Sequence, residues 1–147
     1  MNVDKYALKT EGSRKIFQFV SEGPKGAVKK LIQFQNTDEP NLYNLAFGDK
    51  LSDTEIDDLA ITNNGDSEKV LSTVITALYA FFDQYPSAFV YAKGSTKART
   101  RLYRMGIVKF YDEVIRDFYL YGQIKNEFHV FEIGPDYNGF LVQRKFN

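Results

Sequence analysis

S-E-K-V-L-S-T-V-I-T-A-L-Y-A-F-F-D-Q-Y-P, residues 67 to 86, carries Val70, Leu71, Val74, Ile75, Leu78, Phe81, Phe82 and Tyr85 at steps of three and four. That spacing lines them along one stripe of a helix, and Pro86 ends it because proline has no amide hydrogen to continue the ladder. The pattern predicts an amphipathic helix over residues 66 to 85, entered through an N-N-G-D turn and cap at Asn63 to Asp66. A helix with one apolar stripe needs a second layer to cover it, and the flanking sequence reads as strands.

Downstream, A-F-V-Y-A at 88 to 92 is apolar on both alternating faces, the pattern of a central strand covered on both sides. A basic helix is predicted from about 96 to 115, with a bend or break near Gly106. Three strands then close the chain at 118 to 124, 128 to 133 and 140 to 146, joined by turns at K-N-E and G-P-D-Y-N-G. Upstream, strands are expected at Tyr6 to Lys9, at 16 to 20, from Val28 to Gln35 and at 42 to 48, with G-P-K-G at 23 to 26 as a turn, giving a β-meander. Ile32 and Phe34 alternate with Leu31, Gln33 and Gln35, so that strand reads as half buried. Ser52 and Glu55 stand at capping-box spacing, which predicts a single helical turn in the acidic segment. The fold class expected is α+β: a curved, largely antiparallel sheet packed on two main helices in a single domain.

The composition agrees with one domain. A chain of 147 residues buries roughly 70% of the surface that its unfolded form exposes, enough for a single core. Aromatics make up 16% of the chain, as 13 Phe and 10 Tyr without Trp, and such rings serve either as core or as stacking surfaces. Cysteine is absent and His129 is the one histidine, which excludes disulfides, thiolate catalysis and multi-histidine metal sites. No metal and no cofactor is expected. The M-N-V-D-K-Y start has no apolar signal region, and no apolar run approaches the length of a membrane helix, so the expected location is the cytoplasm.

Net charge is zero, with 19 basic and 19 acidic residues, but the signs are segregated. Residues 36 to 68 carry nine acids and one lysine, whereas residues 84 to 109 carry six bases and no acid. The centre of the basic segment is Y-A-K-G-S-T-K-A-R-T-R-L-Y-R, residues 91 to 104. Gly94 lets the chain turn, Ser95 or Thr96 caps the helix, and the helix N-terminus offers amide hydrogens to an anion. Lys97, Arg101 and Arg104 form one cationic stripe, Lys93 stands close to the corner, and Arg99 projects elsewhere. Cations in the first turn oppose the helix dipole by about a few tenths of a kcal/mol each, a cost that solubility alone does not require. Against this stands a plainer reading, in which the cations solvate a helix face or pair with the acids at 49 to 58.

Familiar catalytic patterns do not match. A phosphate-binding Walker loop needs two glycines and a lysine after the second, whereas Lys93 precedes the lone Gly94. Asp53, Glu55, Asp57 and Asp58 lack the glycine of a calcium-binding loop. A metal nuclease wants a carboxylate two residues before a strand lysine, where Tyr91 stands. His129, between Phe128 and Val130, reads as structural.

The chain resembles an uncharacterised family of small bacterial proteins, a domain-of-unknown-function family. The segment that carries the resemblance is K-G-S-T-x-A-R-T-R-L-Y-R, matched by Lys93 to Arg104, with support from T-N-N-G-D at 62 to 66 and D-F-Y-L-Y-G at 117 to 122. The resemblance extends over most of the chain and implies a small single-domain bacterial protein. It assigns neither catalytic residues nor a ligand.

The residues themselves point to a non-enzymatic module that binds a phosphate-bearing partner, with single-stranded nucleic acid as the first candidate. Lys93, Lys97, Arg99, Arg101 and Arg104 would neutralise phosphates, Gly94, Ser95 and Thr96 would donate hydrogen bonds, and Tyr91, Tyr103 and Tyr111 are the nearest rings for stacking. One rival is a protein-interaction module, meeting an acidic protein surface or a second copy head to tail through the segregated charges. The other is a metal-independent ribonuclease in which a tyrosine or His129 moves the proton.

Overall fold

The structure, a computed structural model, describes residues 4–57 and 63–146. Asp58 of the acidic segment and Thr62 of the T-N-N-G-D stretch lie outside the described residues. The fold is α+β, with nine strands of mostly antiparallel open sheet and three helices among the described residues. Two compact units make it up: residues 1–34 with 46–84, and residues 35–45 with 85–147.

In the first unit, β1 (Lys9–Thr10), β2 (Ile16–Gly23), β3 (Gly26–Asn36) and β4 (Leu42–Lys50) are neighbours in chain order, as the meander predicts. The first strand is shorter than expected and begins later, with residues 4 to 8 irregular. β2 and β3 pair from Ile16↔Gln33 to Gly23↔Gly26, closing over Pro24 and Lys25. Gly26 sits at φ 87°, a left-handed conformation that a side chain would strain. Asn64 is fully buried and ties this hairpin down: its Oδ1 accepts from the Lys25 amide at 2.7 Å and its Nδ2 donates to the Gly26 carbonyl at 2.8 Å.

α1 (Ser67–Gln84) matches the predicted helix. Its stripe of Val70, Leu71, Val74, Phe81 and Phe82 is buried, and Phe81 stacks on Phe34 with centroids 4.2 Å apart. Asp66, however, does not cap the helix through its side chain. Its carboxylate accepts instead from the Tyr6 and Ser21 hydroxyls, both at 2.5 Å.

Two expectations for this unit are corrected. β3 is buried on both faces from Lys30 to Phe34, because Gln33 points under the 51–57 segment and donates to the Thr54 carbonyl, while Lys30 pairs with Asp49. The segment around Ser52 is not a helical turn. Ser52 and Glu55 exchange backbone hydrogen bonds in a bend, and β5 (Ile56–Asp57) follows, pairing antiparallel with the end of β4.

In the second unit, residues Leu42 to Leu45 of β4 pair in parallel with β6 (Phe89–Ala92). β6 pairs antiparallel with β9 (Gly139–Arg144), which pairs with β7 (Phe118–Ile124), which pairs with β8 (Glu127–Val130). The apolar 88–92 run is thus internal to the sheet, but its burial alternates: Val90 and Ala92 are buried, Phe89 and Tyr91 half-buried.

The basic helix is two helices. α2 (Lys97–Lys109) runs straight through Gly106, and the break falls at Phe110, whose φ of −110° and ψ of 28° leave the helical region before α3 (Tyr111–Asp117) begins. Phe110 is 7% exposed, and burying that ring fixes the chain where the helix must stop. A glycine makes a break cheap, whereas the break itself falls where packing demands it. No helix among the described residues is long and apolar enough to cross a membrane.

Candidate phosphate-binding cleft

The cleft forms where β6 hands over to α2. Thr96 is the N-cap, and its hydroxyl oxygen accepts from the Arg99 amide at 3.2 Å. The Thr100 hydroxyl, one turn on, accepts from the Gly94 amide at 3.0 Å and lies 3.2 Å from the Thr96 carbonyl, to which it donates. The corner is thereby tied to the first turn of the helix.

Gly94 is required here by proximity. A Cβ at this position would lie 2.3 Å from Arg99 Cβ and 2.5 Å from the Thr100 nitrogen. Backbone cannot swing aside as a side-chain tip can, so Gly94→Ala must push the corner off the helix. We expect it to lower stability by about 1–3 kcal/mol, the usual range for overpacking, read by urea unfolding. A neutral result would contradict this close approach. The Gly94 amide is also engaged by Thr100, so it is not a donor for a ligand, contrary to the sequence expectation.

A cleft of about 500 Å³ opens beside this corner. Lys93, Ser95, Thr96, Lys97, Arg101 and Arg104 line one side, and Asp136, Tyr137 and Asn138 line the other. Among the described residues, Lys93, Lys97 and Arg101 make no side-chain hydrogen bond or ion pair, and all three are exposed. Arg104 is held: it donates to the Gly134 carbonyl at 3.1 Å and stands 3.8 Å from Asp136. The hydroxyls of Ser95 and Thr96 are exposed, and each accepts a bond from Arg99 while keeping its own hydrogen to donate.

The opposite wall is anchored at both ends. The Phe131 amide donates to the Leu120 carbonyl at 3.1 Å, and the Asn138 amide to the Gln123 carbonyl at 2.7 Å. Between them, Tyr137 is buried against Gly122, where a Cβ would come within 2.3 Å of the ring. The wall is thus pre-formed, although Asp136 and Asn138 themselves stand exposed on it. Sequence reading passed over these residues, because G-P-D-Y-N-G signals a turn and nothing in it signals which corner the turn faces.

Other expected site residues fall elsewhere. Arg99 is 5% exposed and turned inward, donating to Ser95 Oγ at 3.1 Å, so it braces the corner and does not face the cleft. Tyr103 is buried, and that burial pushes its phenol up to about 12, partly opposed by the Arg99 charge, so it is core and not a stacking surface. Tyr91 is half-buried, its hydroxyl donating to Gln123 Oε1, and burial raises its pKa. Tyr111 is half-buried, with its ring 6.1 Å from that of Phe131. His129 is exposed on β8, 3.7 Å from Glu127, and is not among the residues that line the cleft.

Asp49 and Asp53 of the acidic segment have partners of their own. Asp49 pairs with buried Lys30, and Asp53 lies 2.9 Å from Lys50, which holds its carboxyl below the ordinary value. Among the described residues, no group of three or more His, Asp or Glu is placed to hold a metal ion.

No curated protein and no solved structure matches the chain. A family model matches over residues 2–145 and agrees with the resemblance to an uncharacterised domain family: the chain belongs to the family of unknown function DUF6934.

Proposed function

We propose that this protein is a non-enzymatic binding module for a phosphate-bearing partner, single-stranded nucleic acid, whose backbone enters the cleft beside α2. One observation carries the reading: Lys93, Lys97 and Arg101 converge on a cleft of about 500 Å³ and make no ion pair among the described residues, the Asp136 carboxylate on the opposite wall standing beside Arg104. Cations left unpaired around a concavity repel one another, and an anion removes that repulsion. Arg104 supplies a fourth charge at the same cleft, and the Ser95 and Thr96 hydroxyls supply donors suited to phosphate oxygens.

The rivals have less support. The acids that a head-to-tail assembly would use include Asp49 and Asp53, which already have lysine partners. A ribonuclease needs a free proton-transfer group at the cleft, whereas His129 does not line it and Tyr137, which does, is buried with its hydroxyl oxygen accepting from the Glu132 amide.

The test is fluorescence anisotropy with a labelled single-stranded oligonucleotide at about 50 and 200 mM salt. Neutralising four phosphates on a single strand gives a salt slope near −0.7 for each, so affinity should fall by about fiftyfold across that range. Lys97→Glu with Arg101→Glu should abolish binding without lowering the unfolding midpoint, since neither side chain holds another group and an acid at Lys97 suits the helix N-terminus. Absence of binding at low salt, or equal binding by the variant, would overturn the reading.

A further inference from the structure

Among the described residues, the sheet of the second unit buries the side chains of one face and leaves aromatic side chains exposed on the other. Along β6, β9 and β7, Tyr91 pairs with Leu141 and Leu141 with Tyr121, while Phe128 of β8 pairs with Gln123. Paired residues project from the same side of a sheet, so Tyr91, Tyr121, Leu141 and Phe128 share a face, with Tyr119 two residues before Tyr121. The alternate residues Val90, Leu120, Phe140 and Val142 are buried. On the shared face, Tyr119 is 48% and Phe128 44% exposed, and Tyr91, Tyr121 and Leu141 are half-buried. A shallow pocket of about 300 Å³ lies on it, bounded by Tyr91, Phe128, Leu141, Phe89 and the 39–42 segment.

We propose that this aromatic face is a stacking platform for the bases of the same single strand, an inference that rests on the phosphate-binding reading above. The two surfaces adjoin: Tyr91 stands two residues before Lys93, and Gln123, which holds the Tyr91 hydroxyl, accepts through its carbonyl from Asn138 of the cleft wall. One of the rings stands beside a cation, with Lys145 Nζ 5.3 Å from the centre of the Tyr119 ring. Glu39 at the rim of the pocket repels phosphate, so a nucleotide enters base first with its phosphate turned towards Lys93. An unpaired base offers a flat π-face to such rings whatever its identity, and this accounts for an apolar surface bordered by cations better than an apolar peptide does.

The experiment compares a short single-stranded RNA with an abasic oligomer of equal length, which keeps every phosphate and loses every base. The wild type should prefer the base-bearing strand by about fivefold or more for each stacked base. Phe128→Leu and Tyr119→Leu, which remove a ring and keep apolar bulk, should each erode that preference and leave abasic affinity unchanged, whereas Phe128→Tyr should retain it. Both positions are exposed, so the variants should remain folded. Equal wild-type affinity for the two oligomers would overturn the stacking platform and leave the phosphate reading intact. Binding of neither would overturn both. A dimer in sedimentation that Phe128→Leu dissociates would assign the face to a second copy of the chain and overturn the inference.

Discussion

Replacing Phe81 with alanine should lower the free energy of unfolding by about 3–5 kcal/mol, the range for removing a buried phenyl ring. Phe81 is fully buried, lies nearly parallel to Phe34 at 4.2 Å, and meets Phe82 edge-on at 5.6 Å. Truncation removes the transfer free energy of the ring and leaves a cavity between α1 and β3, which two packed aromatics cannot close without moving the backbone. For a domain whose total stability is typically about 5–15 kcal/mol, that is about a fifth or more of the whole. Urea unfolding should show a lower midpoint at unchanged slope. A loss below about 1 kcal/mol would mean that the site collapses, or that Phe81 is not the core residue described.

Lys30 and Asp49 should give the second large effect, and its size depends on whether one or both are changed. Both are buried, 4% and 9% exposed, in contact with each other, with the Lys30 ammonium also 5.9 Å from the centre of the Phe47 ring. Lys30→Met should cost about 3–5 kcal/mol, because it strands a carboxylate in the interior. Adding Asp49→Leu removes the stranded charge and should recover most of that loss. A double-mutant cycle measured by urea unfolding therefore should return a large coupling energy. A neutral Lys30→Met would show that the pair is solvated.

Some of this was legible from residue order alone. The period of α1, the Gly23–Gly26 turn and the final three strands follow from local chemistry, and the reading of 93–104 as a basic corner holds because Thr96 caps and Lys97, Arg101 and Arg104 share a helix face. What was not legible depends on distant residues. Lys30 and Gln33 look like solvent-side residues until Asp49 and the Thr54 carbonyl arrive from later in the chain. Tyr103 stands between two cations in the sequence yet faces the core, since a helix of this length turns one side inward whatever its net charge. The cleft's second wall comes from residues 136 to 138, more than thirty positions beyond Arg104. The aromatic face escaped for a related reason: alternation in 118–124 defines two faces, and only the helices decide which of them is covered.

The division of the chain has a consequence for how it can be cut. Neither unit is a continuous stretch: residues 35–45 belong with 85–147, and the first unit resumes at residue 46. β6 hydrogen-bonds on one side to Leu42–Leu45, more than forty positions earlier. A fragment beginning at residue 85 would carry the basic corner but bare that side of β6, leaving a row of unmatched amides and carbonyls open to any passing strand. The cleft is thus bound to a partner strand made long before it, and the C-terminal half cut at residue 85 lacks a strand on which its own sheet is built.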